Sequence, residues 1–167
     1  MDVLSIKTYP DPFLRKKAKE INEVTPEIKE LVFDMEKIME ENQGVGLAAP
    51  QVGVSKRIII VRMENQPRVL INPKIFKKNR EAEIAEEGCL SVPGVFLEIK
   101  RAKWVEIEAL DIEGKAIYFK AEGLPARIFQ HEIDHLDGIL LIDRLSFLKR
   151  LKIIKKLKTE LREAERR

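Results

Sequence analysis

The segment from Gln130 to Leu140 constrains the fold of this 167-residue chain more than any other stretch. It contains both histidines of the chain, His131 and His135, four residues apart. On an α-helix this spacing places both imidazoles on one face, one turn apart, where they can bind the same divalent metal ion. Glu132 lies one residue round, where a general base for a metal-bound water is expected. The segment therefore predicts a helix that contributes two metal ligands and a base.

This helix is expected to lie in the core of the fold. Gly123 opens it, and Gly138 follows its last turn, where glycine is the preferred residue. A helix that carries apolar side chains on more than one face is normally buried. We therefore expect the rest of the chain to pack around it. The apolar side chains on its two faces are Leu124, Ile128, Phe129, Ile133 and Leu136.

Most of the remaining chain is predicted to form short β-strands. Glu113-Gly114 reads as a hairpin turn between two of them. Strands with few helices between them pair in antiparallel fashion. β-Branched and apolar runs mark strands at 57–63, 68–72, 95–99, 104–112 and 115–121, weaker ones at 75–85, and a short one at 139–142.

Two helices are predicted before the first strand. A short one begins at Asp11-Pro12 and runs to about Ala18. An amphipathic one follows Thr25-Pro26 and stops at Gly44. The predicted fold class is α+β, with mostly antiparallel sheets packed around a central metal-binding helix, N-terminal helices and a C-terminal amphipathic helix. No linker divides the chain, so we predict one domain over residues 1–167.

The C-terminal helix, predicted over about 145–165, is strongly basic. Residues 144–167 contain ten Lys or Arg and three Glu, a net charge of +7, although the whole chain carries only +3. Such a tail favours an anionic partner. An apolar stripe is expected to pack this helix on the sheet, and its members are Leu145, Leu148, Leu151, Ile154, Leu157 and Leu161.

The composition limits the cellular setting. The single cysteine excludes an internal disulfide and favours a reducing cytosol. The chain does not begin with a basic segment and an apolar run, and no apolar run approaches 18 residues. Neither a signal peptide nor a membrane span is therefore expected. The charged fraction of 35% fits either a heat-adapted protein or an ordinary solvated surface.

Two histidines need a third protein ligand to make a metal site with one open position. Leu141 occupies the place where one class of zinc protease carries a third histidine, which excludes that class. Glutamates of the tail would make a zinc endopeptidase instead, whereas Cys89 would supply a thiolate. An RNA-binding protein with a structural metal is a further alternative. The tail glutamates are Glu160, Glu163 and Glu165.

Two segments without regular periodicity accompany the central helix. Residues 44–53 contain three glycines, two alanines and a proline, which allow close approach to the backbone. Taken alone, such a loop is more typical of a tight turn than of a site, and Gln51 is its one functional polar side chain. Cys89 lies in residues 86–94, which interrupt the β pattern. A free cysteine is usually a small buried apolar residue.

Three segments together resemble the signature motifs of the peptide deformylase family, in that family's order and spacing. They are Gly44-Val45-Gly46-Leu47-Ala48-Ala49-Pro50-Gln51, Glu87-Gly88-Cys89-Leu90-Ser91 and Gln130-His131-Glu132-Ile133-Asp134-His135-Leu136-Asp137-Gly138. The resemblance covers essentially the whole chain. It implies a hydrolase that removes the formyl group from the N-formylmethionine of new bacterial or organellar proteins, releasing formate and a free amine.

The resemblance implies a role for each motif residue. The implied metal ligands are Cys89, His131 and His135. They would bind one ion per chain, typically Fe²⁺, which Zn²⁺, Ni²⁺ or Co²⁺ can replace. The ion would lower the pKa of its bound water, Glu132 would take the proton, and hydroxide would attack the formyl carbon. The Gln51 amide and the backbone N–H of Leu90 would bind the developing oxyanion.

The substrate is expected to pair in extended form with exposed backbone, by strand addition near the small-residue loop. The resemblance implies a methionine pocket beside the metal helix, with Glu87 and Arg101 at its edge. Arg127 stands where the family often has an aliphatic residue lining this pocket, so it is expected to point outward, with a different pocket wall. Asp134 either orients a partner or is a surface or helix-packing carboxylate. The residues implied to line the methionine pocket are Val45, Leu124, Ile128 and His131. Gly46 and Gly88 are further implied substrate-binding residues.

The resemblance also implies partners and a location. N-formylmethionyl peptides of nascent chains are the expected substrates, in the cytoplasm and away from membranes. The family's use of a C-terminal helix to dock near the ribosomal exit tunnel suggests that the basic helix contacts ribosomal RNA. The sequence leaves the oligomeric state open and slightly favours a monomer.

Overall fold

The computed structural model describes residues 4–64, 66–164 and 166. Within these residues the chain forms three α-helices and seven β-strands. The helices are α1 (Pro26–Glu41), α2 (Gly123–Leu136) and α3 (Phe147–Ala164). The strands are β1 (Gly46–Ala48), β2 (Ile58–Val61), β3 (Arg68–Lys78), β4 (Ala82–Cys89), β5 (Val92–Ala102), β6 (Trp104–Leu110) and β7 (Ala116–Glu122).

The strands form two antiparallel sheets. Five of them make one sheet in the order β1-β2-β3-β6-β7, and β4 pairs with β5 in a separate hairpin. The predicted α+β class with antiparallel pairing is confirmed. Because the hairpin is separate, the segment around Cys89 and the small-residue strand β1 belong to different sheets.

Strand β2 is buried on both faces and joins two cores. Ile58 and Ile60 pack in a cluster with Met35 of α1, whereas Ile59 lies in a cluster with Phe129 of α2. This alternation follows from the two-residue period of a strand. Burying each of these side chains contributes about 1.5–3 kcal/mol. The five-stranded sheet therefore lies between α1 and α2.

A third apolar cluster lies around the β4–β5 hairpin. It contains Ile99 of β5, Leu14 near the N-terminus, and Leu141 and Ile142 after the central helix. Helix α2 contacts β1 and β2 on one side and β5 on another. The central helix is therefore enclosed by both sheets, as its two apolar faces predict.

Two short predicted elements have a different form. Only Pro12–Arg15 is helical in the first segment, as a 3-10 turn, because the chain then extends so that the N–H of Ala18 donates to the Leu136 carbonyl at 2.8 Å. The predicted strand at 139–142 is wrong. A 3-10 helix spans Leu141–Arg144, and its buried Leu141 and Ile142 pack on β5 without pairing to a strand.

The β pattern is longer than the sequence predicts. Strand β3 continues through Pro73, because a bulge at Asn72, with φ of 52°, shifts the register there. The interruption predicted at residues 86–94 is wrong. Strand β4 runs to Cys89 and β5 starts at Val92, with a register shift between Gly88 and Cys89. The sequence did not predict this hairpin, because its outer face is exposed to solvent and contains glycine and glutamate, which weaken the strand pattern.

The end of α1 and the packing of α3 also differ from prediction. Helix α1 stops one residue earlier than expected, because Gln43, not Gly44, takes the positive φ of 53°. Its terminal bond runs from the Gly44 N–H to the Met39 carbonyl at 2.8 Å. The apolar stripe of α3 packs only in part. Leu157 is buried, but Leu148 is 70% exposed.

None of the helices within the described residues is long and apolar enough to cross a membrane. The last predicted residue of the C-terminal helix, Glu165, lies outside the described residues.

Candidate metal centre and substrate cavity

Three potential ligand atoms converge between α2 and the β4–β5 hairpin. Cys89 Sγ lies 3.3 Å from His135 Nε2, and this nitrogen lies 3.2 Å from His131 Nε2. Among the described residues, these three are the group of histidine, cysteine and acidic side chains that could hold a metal ion. The structure thus brings together the three residues that the motifs suggested as ligands.

The donor set fits a divalent transition metal. Metal–sulfur distances of about 2.3 Å and metal–nitrogen distances of about 2.1 Å place neighbouring tetrahedral ligand atoms roughly 3.4–3.6 Å apart. The observed spacings of 3.2 and 3.3 Å lie within a few tenths of an ångström of that range. Three protein ligands leave one coordination position open. His131 is also oriented, because its Nδ1 lies 2.9 Å from a Glu87 oxygen.

The charges around the three potential ligand atoms favour a thiolate next to an imidazolium. Burial alone would raise the pKa of the Cys89 thiol, but the two histidines outweigh burial and hold that pKa well below its usual value. Burial alone would lower the pKa of His131, but Cys89 and Glu87 outweigh it and raise that pKa to about 10. Metal ions bind neutral imidazole, so His131 must lose its proton when the site fills.

We expect metal binding to release about one proton per ion from His131 at pH 7.5. Because the pKa of His131 is raised to about 10, metal affinity should rise roughly tenfold per pH unit between pH 7 and 9. Calorimetric titration with Ni²⁺ in two buffers of different ionisation enthalpy measures the proton count. Glu87→Gln should reduce the release and Glu98→Gln should not. Equal heats in both buffers for the unmodified protein would contradict the prediction.

Glu132 points into the same site from α2. It is only 4% exposed, and its Oε2 atom is buried without a hydrogen-bond partner among the described residues. Burial, the largest influence, raises the pKa of this carboxyl group above its usual value. A buried carboxylate with a raised pKa beside metal ligands is suited to accept and return a proton.

Gly46 of β1 leaves the space that Glu132 occupies. A Cβ atom built on Gly46 would lie 2.8 Å from Glu132 Cδ, closer than real Cβ contacts allow. The glycine at position 46 therefore makes room for the Glu132 side chain. The composition of the segment alone could not predict this role, because Glu132 belongs to the distant central helix.

Gly46→Ala should displace Glu132 while leaving the metal ligands in place. We expect kcat/KM to fall by about 10²-fold, within the range that a positioned general base contributes. The measurement pairs steady-state rates with the amount of Co²⁺ bound per chain and a melting curve. Loss of Co²⁺ in proportion to the loss of rate would contradict this explanation, because it would place the damage in the ligands.

The two predicted oxyanion donors, Gln51 and Leu90, lie beside the same ligand cluster. Gln51, on a 3-10 helix spanning Ala49–Val52, is 1% exposed. Its Oε1 accepts a hydrogen bond from the Ala48 N–H at 2.8 Å, which turns its Nε2 towards Ser91 Oγ at 3.2 Å and Cys89 Sγ at 3.6 Å. Leu90 lines the cavity from the turn between β4 and β5.

A cavity of about 540 Å³ opens in front of these groups. Val45 and Leu124 are exposed at its rim, 55% and 67% respectively. Phe96 of β5 also lines it, and its ring covers Gly88, where a Cβ would lie 2.8 Å away. Sequence reasoning missed Phe96, although it stands directly opposite Gly88 in the strand register that the predicted interruption concealed. The predicted lining residues that the structure brings to this cavity are Val45, Gly46, Glu87, Gly88, Leu124 and Ile128.

Arg101 does not line this cavity and instead lies behind His131. It is 5% exposed, and it donates to both oxygens of Glu87 at 3.0 Å and to Asp134 at 2.5 Å. Burial alone would raise the pKa of Glu87, but His131 and Arg101 outweigh burial and lower it to about 2. The predicted place of Arg101 at the pocket edge is therefore wrong. Its charge is instead committed to the carboxylates behind the ligand.

Asp134 and Arg127 have buried partners. Asp134 accepts hydrogen bonds from Arg101 and from Arg144 after α2, so it supports the residues behind His131 and is not a surface carboxylate. Arg127 is 7% exposed, lines the cavity wall and donates to Glu87 at 2.7 Å. The outward orientation considered for Arg127 is wrong.

The two tail glutamates that lie within the described residues, Glu160 and Glu163, are not part of the site. Glu160 is exposed and lies 3.7 Å from Lys156 on the same helix, and Glu163 is exposed. Glu165 lies outside the described residues. The third ligand that the geometry offers is therefore Cys89, in agreement with its position beside both imidazoles.

Comparison with known proteins matches this architecture to one family. The family model described as "Polypeptide deformylase" matches residues 3–151. A peptide deformylase of Thermodesulfovibrio yellowstonii is 50% identical over 165 residues, covering 96% of this chain and 99% of the relative. A peptide deformylase of Desulforudis audaxviator is 50% identical over 145 residues, covering 86% and 94%. The crystal structure of a Legionella pneumophila peptide deformylase, 40% identical, superposes with a TM-score of 0.89 over 99% of both chains.

Proposed function

The chain belongs to the polypeptide deformylase family, and from this premise we propose which of its residues perform the reaction. It is a metal-dependent hydrolase that removes the N-formyl group from nascent peptides. We assign residues 1–167 to one catalytic domain. The observation that carries the residue assignments is the position of the Cys89 thiol, 3.3 Å from the Nε2 of His135 and in front of a cavity.

We assign Cys89, His131 and His135 as the ligands of one ion per chain. Their mixed nitrogen and sulfur donors suit Fe²⁺, Zn²⁺, Ni²⁺ and Co²⁺ alike, so Fe²⁺ as the native ion rests on the family resemblance. When bound, the ion supplies a Lewis acid that activates water at neutral pH. Glu87 supports this assignment, since its bond to His131 Nδ1 presents the opposite nitrogen to the ligand cluster.

Glu132 is the proposed base and acid. It accepts a proton from the attacking water and returns it to the leaving amine. Its burial supports this role, because burial raises the pKa of the carboxyl group towards the working pH. Because Gly46 has no side chain, the Glu132 carboxylate has room against β1 beside the ligand cluster.

The Gln51 side-chain amide and the Leu90 backbone N–H are the proposed oxyanion donors. Pre-positioned donors stabilise a developing charge without having to reorganise, and loss of one typically costs about 10²–10³ in rate. The bond from the Ala48 N–H supports the assignment, because it immobilises the amide with its N–H₂ end facing Cys89.

The substrate peptide is proposed to add to β1 as an extended strand. Strand β1 is an edge of the five-stranded sheet, and one side of it pairs with β2. Main-chain hydrogen bonds then provide affinity and a pocket provides selectivity. Val45, Leu124, Ile128 and His131 form the proposed methionine pocket. Gly88 is a further proposed substrate contact, whereas Glu87 and Arg101 support His131 from behind.

The test is an anaerobic assay of the Fe²⁺-loaded and Ni²⁺-loaded protein on formyl-Met-Ala-Ser. We expect stoichiometric release of formate and free Met-Ala-Ser. Acetyl-Met-Ala-Ser is the control, because its larger acyl group should be cleaved far more slowly. If neither metal form releases formate, the proposed residue roles are wrong.

We propose that the protein is a cytoplasmic monomer and that its helix α3 contacts ribosomal RNA. Exposed lysines of α3 support this contact through attraction to phosphates. Truncation would remove Leu157 from a core cluster, so a cleaner variant neutralises Lys149, Lys152 and Lys155 to glutamine. We expect weaker, less salt-dependent co-sedimentation with ribosomes and unchanged formate release. Unaltered co-sedimentation would exclude this contact.

A further inference from the structure

The ligand cluster is assembled from two separate pieces of the fold. Cys89 ends β4 of the two-stranded hairpin, whereas His131 and His135 belong to α2. No strand pairing joins the hairpin to the five-stranded sheet among the described residues. The distance between the thiol and the imidazoles therefore depends on how α2 is fastened to the hairpin.

Arg127 of α2 forms hydrogen bonds to more positions of the β4–β5 hairpin than Gln130 or Asp134 does. One amino group of its guanidinium donates to the Ile99 carbonyl of β5 at 2.8 Å and to Glu87 of β4 at 2.7 Å. The other amino group donates to the Glu83 carbonyl of β4 at 2.8 Å. One side chain of the helix therefore bonds the backbones of both hairpin strands, which suits the planar fork of arginine.

Other residues on the same stripe of α2 bond the hairpin at fewer points. Gln130 exchanges hydrogen bonds with the backbone of Ala102 at 3.1 and 2.9 Å, at the end of β5. Asp134 reaches it through Arg101. Arg127 differs from both because it contacts β4, the strand that carries Cys89, and because it is bonded to Glu87, only two residues from the thiol.

Loss of Arg127 would leave the Ile99 carbonyl without its side-chain donor and would remove one of several donors to Glu87. The Ile99 carbonyl belongs to a residue with no exposure, and Glu87 is 7% exposed. Glu87 would keep Arg101, so its bond to His131 should persist in a looser form. The main consequence should be local loosening of the hairpin against α2, since unsatisfied buried polar groups are costly.

We propose that Arg127 is a positioning residue for deformylation, which sets the distance between Cys89 and the two histidines by clamping both strands of the β4–β5 hairpin to α2. The inference rests on the proposed ligand roles of these three residues. Arg127 itself does not contact the reacting atoms. It acts through Glu87 and through the backbone that carries the thiol.

The first test uses metal-free protein, so that it is independent of the proposed reaction. Arg127→Met keeps an apolar stem and removes the guanidinium, and Arg127→Lys keeps the charge without the fork. Arg80→Met, an exposed arginine between β3 and β4, is the matched control. By hydrogen exchange, we expect amide protection in residues 82–102 to fall at least about tenfold in Arg127→Met, with β2 and β3 unchanged and Arg127→Lys intermediate.

The second test measures the same variants loaded with Ni²⁺. We expect kcat of the Ni²⁺-loaded Arg127→Met to fall about 10–100-fold with little change in KM. In a separate titration, its affinity for Co²⁺ should fall by a similar factor. A merely structural role would lower the melting temperature but leave kcat per bound metal unchanged. The proposal is overturned if hairpin protection matches that of the unmodified protein, or if kcat per bound metal stays within twofold. If Arg127→Met does not fold, the same criteria apply to Arg127→Lys.

Discussion

Cys89→Ala is expected to lose metal binding and formate release together. The thiolate is the one ligand that the β4–β5 hairpin contributes, and two imidazoles alone make a weak site. Removing a ligand should cost more than the 10–100-fold in affinity that is typical of residues behind the ligands. Metal content per chain after dialysis, and the sulfur-to-Co²⁺ charge-transfer absorption, measure the binding. Formate release should fall below detection.

Unmodified protein that has been stripped of metal and reloaded is the control for Cys89→Ala. It should recover both the absorption band and the activity. A Cys89→Ala protein that retains one ion per chain and hydrolyses peptides would contradict the thiolate ligand. That outcome would require a third metal ligand other than Cys89.

Glu132→Gln is expected to lower the rate of the reaction without weakening metal binding. Glutamine has the size of glutamate, so the space beside Gly46 remains filled and the ligand cluster should bind Ni²⁺ normally. An amide cannot accept the proton from water, and loss of a general base typically costs 10²–10⁴ in rate. We expect kcat to fall in that range, with KM nearly unchanged because Glu132 acts on the reacting atoms.

Glu98→Gln, an exposed carboxylate on β5 away from the cavity, is the matched control and should leave kcat unaltered. Activity of Glu132→Gln within a factor of ten of the unmodified protein would exclude Glu132 as the base. Such a result would require another proton acceptor at the cavity.

The central helix and the identity of the chemical groups could be predicted from the sequence. The histidine spacing and the two apolar faces depend only on the helical period, and α2 begins at Gly123 and is followed by Gly138, as predicted. The short runs were less predictable. Residues 140–142 are apolar and pack in the cluster that contains β5, and burial of this kind does not distinguish a strand from a 3-10 turn.

The hairpin that carries Cys89 shows a second limit. Its outer face is exposed and contains Glu86, Gly88 and Glu98, so its hydrophobic alternation is weak although every residue from Ala82 to Gly88 has a strand partner. Strand pairing there is stabilised by the apolar inner face and by buried arginines. Neither contribution is visible in the local composition.

The sequence by itself determined which groups were available: two imidazoles on one face of a helix, one thiol, and a glutamate between the histidines. These follow from residue type and the period of a helix. Only the tertiary structure decided that Cys89 stands beside His135, 46 residues away, and that Arg127 reaches Glu87 across 40 residues. Arg127 and Arg101, which the sequence placed at the surface and at the pocket edge, are both buried. Their burial is possible because distant strands supply the carboxylates and carbonyls that accept their hydrogen bonds.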